Sequence, residues 1–249
     1  MRRANASALV VLFLGIVANV GAQAPGKWPP DSLINTKVIP KNTPPIQVVG
    51  TMRNFAGDLG VRCQFSHVGH EGQPLQQFDF ASDEKHTKQV ARQMMLMVQE
   101  INRRIDSLPG HTQGLAVSCR TCHRGVSNPI PLSQLVADAA IASGSDSALR
   151  VYQTLKERYA GSDAYDFREG SLNTAAFRTG RANKVSDALA ILDFNETLFP
   201  NSSGMSVFRG NILLMKGDTT NAERAFREAV RRDSTNGEAR GRLRDIGRP

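Results

Sequence analysis

Hydrophobic residues recur at helical spacing in two stretches of the first half of the chain. In the first stretch, Gln47 to Leu59, the apolar residues fall three or four positions apart: Val48, Met52, Phe55, Ala56 and Leu59. The stretch runs directly into Gly60, a residue type that commonly ends helices. The pattern therefore predicts an amphipathic helix that stops at Gly60.

A longer apolar stripe follows a loop-like segment over residues 68–82. We predict a helix from Ser82 to about Ile105. Ser82 is a suitable N-cap, and the acidic residues Asp83 and Glu84 would lie in the first turn, where the helix dipole favours them. One face of this helix would carry the following apolar residues: Val90, Met94, Met97, Val98, Ile101 and Ile105.

After about residue 131 the pattern becomes a series of helices and turns with no further cysteine or histidine. Small and large residues recur there with a period of about 34, the length of a tetratricopeptide repeat. The clearer copy contains Gly210, Leu213, Gly217, Asp218, Ala222, Phe226 and Ala229, and the looser copy contains Ala176, Ala188, Leu192 and Pro200. We predict tetratricopeptide-like helices preceded by a single helix, Ala148 to Tyr159. A generic bundle of helical hairpins is the alternative.

The N-terminus has the three parts of a secretory signal peptide. Arg2 and Arg3 are followed by an apolar run of about 15 residues and by a small-residue cleavage site ending at Ala22. The run is shorter than the roughly 20 residues that span a bilayer. We expect residues 1–22 to be removed and the mature protein to be periplasmic or otherwise exported, soluble or peripherally attached to a membrane.

The residues Cys119, Cys122 and His123 form a C-x-x-C-H motif, the signature of covalent haem c attachment. Two thiols one helical turn apart can form thioethers with the two vinyl groups of one haem, and the adjacent histidine can then ligate the iron. A thiol–disulfide site normally sits in a βαβ pattern, which is absent here. A zinc site would need further ligands, which Cys63 and His67 could supply.

An altered copy of the motif lies upstream, with Ser66 in place of the second cysteine. Cys63 could still hold one vinyl group, and His67 is still placed to ligate iron. A second haem is therefore possible at this site, and an empty site with a free thiol is the alternative. Methionine is a common ligand opposite histidine, although methionines at helical spacing also serve as core residues.

The stretch from Pro45 to Gly125 resembles one half of the cytochrome subunit of photosynthetic reaction centres. The matching segments are Val48 to Met52, Leu59 to Cys63, Ala91 to Asn102 and Cys119 to Gly125. In that family each haem is held by a helix, a turn and a C-x-x-C-H motif, and a methionine on the helix ligates the iron opposite the histidine.

The resemblance implies two pairs of axial ligands. Met52 would pair with His67, and Met97 would pair with His123. Met94, which lies on the same helical face as Met97, is the alternative ligand. It also singles out His111, because a histidine so placed ligates a haem of the other half of the subunit. That half has no counterpart in this sequence, so His111 would be either an idle surface residue or a ligand across an oligomer interface.

These observations predict a mainly α-helical protein with a small multihaem c-type cytochrome domain followed by a helical repeat domain. The boundaries that we predict are a signal peptide at 1–22, a proline-rich lead-in at 23–45, the cytochrome domain at 46–130, a linker at 131–144 and the tetratricopeptide-like domain at 145–249.

The predicted function is outer-sphere electron transfer rather than enzymatic turnover. The resemblance implies redox protein partners, such as a membrane-bound reaction centre in photosynthesis or a respiratory complex. The net charge is +8, but export argues against nucleic acid as a partner, and a basic surface can attract acidic proteins or anionic lipids. One alternative is a scaffold in which the repeat domain binds a protein partner and haem is structural or sensory. A haem enzyme such as a peroxidase would require an open iron position.

Overall fold

The computed structural model describes residues 27–110 and 114–248, and this part of the chain is mainly α-helical, as the sequence predicts. It contains ten α-helices, two short 3-10 helices and an isolated β-bridge between Val68 and Asp79. The predicted signal peptide and His111 lie outside the described residues. Within the described ranges, no helix has the length and apolar character needed to cross a membrane.

The first part of the fold, residues 45–126, is here called the motif region. Its helices are α1 (Pro45–Leu59), α2 (His86–Asp106) and α3 (Cys119–His123), and its two 3-10 helices are Cys63–Phe65 and Leu75–Gln77. The preceding residues from 27 to 44 are irregular, in agreement with the predicted lead-in.

The end of α1 at Gly60 confirms the prediction, and a close contact explains why glycine is needed there. Gly60 has a φ of 64°, in the left-handed region, and its N–H bonds the last turn of α1. A Cβ atom at Gly60 would lie 2.1 Å from the carbonyl oxygen of Gly125. The Gly125 N–H in turn donates to the Asp58 carbonyl at 2.8 Å. The glycine therefore allows the end of α1 to pack against α3.

The start of α2 was predicted wrongly, because the helix begins at His86 rather than at Ser82. The Asp79 carboxylate accepts hydrogen bonds from the N–H groups of Ala81 and Ser82, and the Ser82 hydroxyl accepts from the Glu84 N–H. Short polar side chains that bond the local backbone in this way compete with helix formation. The helix ends at Asp106, close to the predicted end.

The second part, residues 132–248, is here called the helical region. Its helices are α4 (Leu132–Ser143), α5 (Ser145–Tyr159), α6 (Glu169–Arg181), α7 (Val185–Leu198), α8 (Ser203–Met215), α9 (Thr219–Arg232) and α10 (Gly237–Asp245). The linker predicted at 131–144 is wrong, because α4 occupies it and packs against α5 and α6. Leu132, Val136, Ala137 and Ala140 of α4 are buried, so the helix belongs to the core. The predicted helix before the repeats, α5, is therefore paired rather than single.

Consecutive helices of the helical region pack as pairs: α4 with α5, α6 with α7, and α8 with α9, while α10 packs on α9. The interlock of small and large residues is clearest between Gly210 and Phe226. A Cβ atom at Gly210 would lie 2.4 Å from the Phe226 ring, which is fully buried. Ala176 and Leu192, 34 residues earlier, are also fully buried. Repeated pairing agrees with the observed period, and the tetratricopeptide assignment itself stays a prediction.

Burial is divided unevenly between the two parts of the fold. The helical region has two hydrophobic clusters, one around Tyr152 and Leu192 and the other around Phe226 and Leu243. By contrast, none of the described residues from 27 to 125 is buried, and the apolar faces of α1 and α2 remain partly exposed. The helical region thus has a core made of side chains, whereas the described part of the motif region has none.

Candidate haem site

The C-x-x-C-H motif forms its own short helix, α3, with the cysteines one turn apart. Cys119 is partly exposed and Cys122 is exposed. The Ser118 N–H donates to the Thr121 hydroxyl at 2.9 Å at the start of the helix. At its end, Arg124 adopts a left-handed conformation with a φ of 50°. The turn therefore holds both sulfur atoms on one short element, the arrangement that two thioether bonds to one ring require.

Burial raises the pKa of the Cys119 thiol, and the nearby carboxylate of Asp58 adds to this effect. A raised pKa keeps this thiol protonated at neutral pH and lowers its reactivity as a thiolate. Cys119 thus lacks the low-pKa environment of a redox-active thiol. In addition, the described residues contain no β-strand that would place the motif in a βαβ unit.

The ring of His123 is oriented by a backbone carbonyl. Its Nδ1 atom lies 2.9 Å from the Val126 carbonyl oxygen, which can only accept a hydrogen bond, so Nδ1 carries the proton. The neutral ring then has its lone pair on Nε2. A histidine whose Nδ1–H bonds a carbonyl is the usual form of an imidazole metal ligand. The geometry therefore leaves Nε2 of His123 suited to ligate an iron atom.

Asn102 fixes the distance between α2 and the motif. Its side-chain amide donates to the Val117 carbonyl at 3.0 Å, and its side-chain oxygen accepts from the Val117 N–H at 2.8 Å. This reciprocal pair mimics a β-ladder and is partly buried. Because Val117 lies two residues before Cys119, Asn102 ties the apolar helix to the attachment motif. Sequence reasoning did not assign this role to Asn102, although the residue lies in the segment that carries the family resemblance.

The apolar face of α2 stays partly exposed among the described residues. Met97 is 45% exposed, and Val90 is exposed to a similar extent, while Met94 is partly buried. In the described residues, α2 makes no extensive contact with another helix. An amphipathic helix normally buries such a face. The exposed methionines and the missing core fit a large apolar group that would lie between α2 and the motif.

The altered motif forms a 3-10 turn rather than a helix. Cys63 is exposed at its start, and the His67 N–H donates to the Cys63 carbonyl at 3.0 Å. The His67 ring packs edge-on against Phe80, with 4.9 Å between ring centroids. Its Nδ1 atom is buried and lacks a hydrogen-bond partner among the described residues. His67 thus differs from His123, whose Nδ1 has a carbonyl acceptor.

Burial, followed by the positive charges of Lys88 and Arg92, lowers the pKa of His67 to about 4, and a hydrogen bond with the Phe80 backbone opposes this in part. The ring is therefore neutral at physiological pH. A neutral imidazole is the form that ligates metals. The placement of Cys63 and His67 fits a second attachment site, though its histidine is less well oriented than His123.

The lead-in segment covers the His67 site. Trp28 packs against Phe80 at a centroid distance of 4.8 Å, and Phe78 stacks on the other side at 5.5 Å. The aromatic residues Trp28 and Phe80 thus continue the apolar surroundings of His67. Their role depends on contacts between distant residues, and sequence periodicity carries no signal for it.

Asp83 anchors the same segment to the start of α2. Its carboxylate accepts hydrogen bonds from the Asn35 amide at 2.9 Å and from Lys37 at 2.7 Å, and it pairs with Arg92 at 2.8 Å. Lys88 completes the cluster and donates to three backbone carbonyls of residues 80–82. The side chain that we predicted in the first turn of α2 therefore acts as a junction between the lead-in and the helix.

Replacement of Asp83 by asparagine should remove a pH-dependent part of the stability. Hydrogen bonds from Lys37 and then Asn35 hold the pKa of Asp83 well below its usual range. The stabilisation is therefore present above the unfolded-state pKa of about 3.9 and is lost as the pH falls below it. The thermal midpoint of the wild-type protein should drop more between pH 6 and pH 3 than that of Asp83→Asn.

Glu84→Gln provides the matched control for that comparison. Glu84 is exposed and forms no ion pair with another described residue. The thermal midpoint of its variant should therefore change with pH as that of the wild-type protein does. Equal pH dependence in wild type and Asp83→Asn would show that the Asp83 cluster contributes nothing to stability.

The zinc alternative finds no support in the arrangement. Within the described ranges, no three His, Cys, Asp or Glu side chains are grouped as metal ligands. In particular, Cys63 and His67 do not combine with Cys119 and Cys122 into a four-ligand site.

Fold and site together define a mainly α-helical protein that presents a C-x-x-C-H turn beside a methionine-bearing helix. Residues 60–160 match the model of a family described as photosynthetic reaction centre cytochrome C subunit. The match includes the Cys63 turn, α2 and the attachment motif, and it continues to the end of α5, beyond the predicted boundary at residue 130. A comparison with curated proteins finds no match. The family match supports the resemblance over this stretch and a cytochrome-like role in electron transfer.

Proposed function

We propose that the chain is an exported c-type cytochrome that transfers electrons by an outer-sphere mechanism. The observation that carries the proposal is the combination of an oriented His123 on the C-x-x-C-H helix with an apolar face of α2 that stays partly exposed among the described residues. The family match over residues 60–160 supports the same function.

The residues that would hold haem c are Cys119 and Cys122 by thioether bonds, His123 as an axial ligand and Met97 as the opposite ligand. When bound, haem supplies an iron that changes between two oxidation states. The side chains would keep that iron six-coordinate and exclude small substrates from it, which favours an electron carrier over an enzyme. The apolar faces of α1 and α2 would exclude water from the ring.

A second haem at Cys63 is part of the proposal, with His67 and Met52 as its axial ligands. Met52 is a partly buried residue of α1, and His67 is neutral and packs against the Phe80 ring. Ser66 leaves a single thioether bond available at this site. The number of haems is therefore one or two, and the first is the one at Cys119 and Cys122.

The partners would be redox proteins, and the family match makes a membrane-bound redox complex, such as a reaction centre or a respiratory complex, the first candidate. The chain itself would then work outside the cytoplasm, where covalent attachment takes place. The basic net charge of +8 would favour acidic partner surfaces.

The test is production of the full chain in a bacterium that carries out haem attachment in its periplasm. Intact mass should show one or two added haems on the mature chain, and the pigment should resist extraction by acid and acetone. The visible spectrum should change reversibly between a reduced and an oxidised form. A protein that accumulates in the periplasm with no covalent pigment would contradict the proposal.

A haem-containing scaffold is the second candidate, and the separate core of the helical region favours it. Both hydrophobic clusters lie within residues 132–248, so this part could present a binding surface of its own. A stable protein partner, together with a potential too extreme for electron exchange with that partner, would support the scaffold. Rapid electron exchange with the partner would instead support the carrier.

A further inference from the structure

We propose that Asp163, a residue of the helical region, is a positioning residue for the attachment motif. Arg120 lies between the two cysteines of the motif, and its Nη2 atom donates to Asp163 Oδ1 at 2.8 Å. The carboxylate thereby fixes and neutralises a cation inside the attachment motif and lowers the reduction potential of the group held there. This inference rests on the proposed function.

Asp163 is presented by a packed turn between α5 and α6. The next residue, Ala164, is buried, and its N–H bonds the Ser162 hydroxyl. That hydroxyl donates to the Tyr159 carbonyl at 2.8 Å, and Tyr159 packs edge-on against Tyr165 at 5.2 Å. Since both neighbours of Asp163 are held by these contacts, its carboxylate is directed toward Arg120 by the fold of the helical region.

The chain between the motif and the helical region is short and is anchored at both ends. His123 bonds the Val126 carbonyl, Val126 is only 6% exposed, and Leu132 begins α4 inside the hydrophobic core. Only eight residues therefore lie between the histidine and the core residue Leu132. With the Arg120 contact as a second connection, the motif is joined to the helical region at two points, which restricts its rotation relative to Asp163.

The electrostatic effect has a definite sign. A free guanidinium near the site favours the reduced form, which carries one positive charge less, and so raises the reduction potential. A carboxylate paired with that guanidinium cancels most of the effect. The Arg120 and Asp163 side chains are 53% and 56% exposed, so the effect is partly screened by water and salt.

The experiment compares the haem-loaded full chain with its Asp163→Asn variant in spectroscopic redox titrations at low salt. At a fixed applied potential, the ratio of reduced to oxidised protein should rise roughly threefold in the variant, as expected for one partly screened charge. The difference should shrink at high salt, and Asp163→Glu should restore the wild-type ratio.

Asp166→Asn is the matched control, because Asp166 lies in the same turn but pairs with Arg168 of the helical region at 2.6 Å. Its potential should equal that of the wild type. Arg120→Gln should shift the ratio in the opposite direction, because it removes the positive charge of the same pair. A purely structural role for Asp163 would not produce shifts of opposite sign at the two residues.

Equal potentials for Asp163→Asn and Asp166→Asn would overturn the inference, and so would shifts of the same sign for Asp163→Asn and Arg120→Gln. Either result could be obtained only from a haem-loaded, reversibly reducible protein, so the proposed function would survive it. A wild-type chain without covalent haem would contradict the proposed function instead.

Discussion

Replacement of both Cys119 and Cys122 by alanine should abolish covalent haem at this site and unfold the motif region. None of the described residues from 27 to 125 is buried, so this part of the chain has no side-chain core that would stabilise it without haem. Helices of 15 and 21 residues, the lengths of α1 and α2, are marginal in water without tertiary packing. We therefore expect both helices to be lost together with the pigment.

The helical region should remain folded in the same variant, because its two clusters lie entirely within residues 132–248. Circular dichroism should show partial loss of helix, and limited proteolysis should leave a protected fragment that begins near α4. Intact mass would verify the missing haem. These measurements separate local unfolding of the motif region from global unfolding.

Cys63→Ala is the matched control for the double variant, since it removes one exposed thiol outside the C-x-x-C-H motif. It should leave haem attached at Cys119 and Cys122, whether or not a haem at Cys63 is lost, and so keep α2 and α3 folded. A colourless double variant with the full helix content of the wild type would contradict the role of haem as the missing core.

The candidate attachment motif could be found in the sequence because its chemistry is local, and its use for haem stays a prediction. Two thiols and a histidine within five residues define the site without knowledge of the fold, and α3 spans the same five residues, Cys119 to His123. The end of α1 could also be predicted from the sequence. Gly60 directly follows the apolar pattern, and a helix end with a positive φ favours glycine. Features within a few residues of each other were thus predicted well.

The errors arose where local side chains or distant contacts decide the structure. The side chains of Asp79 and Ser82 accept hydrogen bonds from nearby backbone N–H groups, so α2 begins four residues later than predicted. The residues of α4 were interpreted as a linker, because a short segment rich in alanine shows little contrast between its faces. Only its packing against α5 and α6 makes it part of the core.

The supporting residues of the site could not be predicted from periodicity. Asn102 reaches Val117 across 15 residues, and Asp163 reaches Arg120 across 43. Such contacts depend on how the elements are arranged in space, and polar residues on exposed helix faces or turns carry no local sign of them. The residues that position the site are therefore harder to predict than those that would bind the cofactor.

Met97→Ala should leave haem attached at Cys119 and Cys122 but open the iron position opposite His123. Methionine ligation raises the reduction potential of c-type haems, so its loss should lower the potential and shift the visible spectrum. The variant should also bind carbon monoxide in its reduced form, whereas the wild-type protein should not. The 45% exposure of Met97 means that its substitution removes little existing packing, so the fold should persist.

Met94 and Met95 provide the comparison that tests this assignment. Met94 lies on the same apolar face of α2 as Met97, while Met95 lies on a different face because of the helical period. Met95→Ala should therefore keep the wild-type spectrum and potential. If Met94→Ala binds carbon monoxide and Met97→Ala does not, Met94 is the ligand. If both variants keep a closed iron position, the helix-borne methionine ligand that the family resemblance implies is wrong, although attachment through the cysteines would be unaffected.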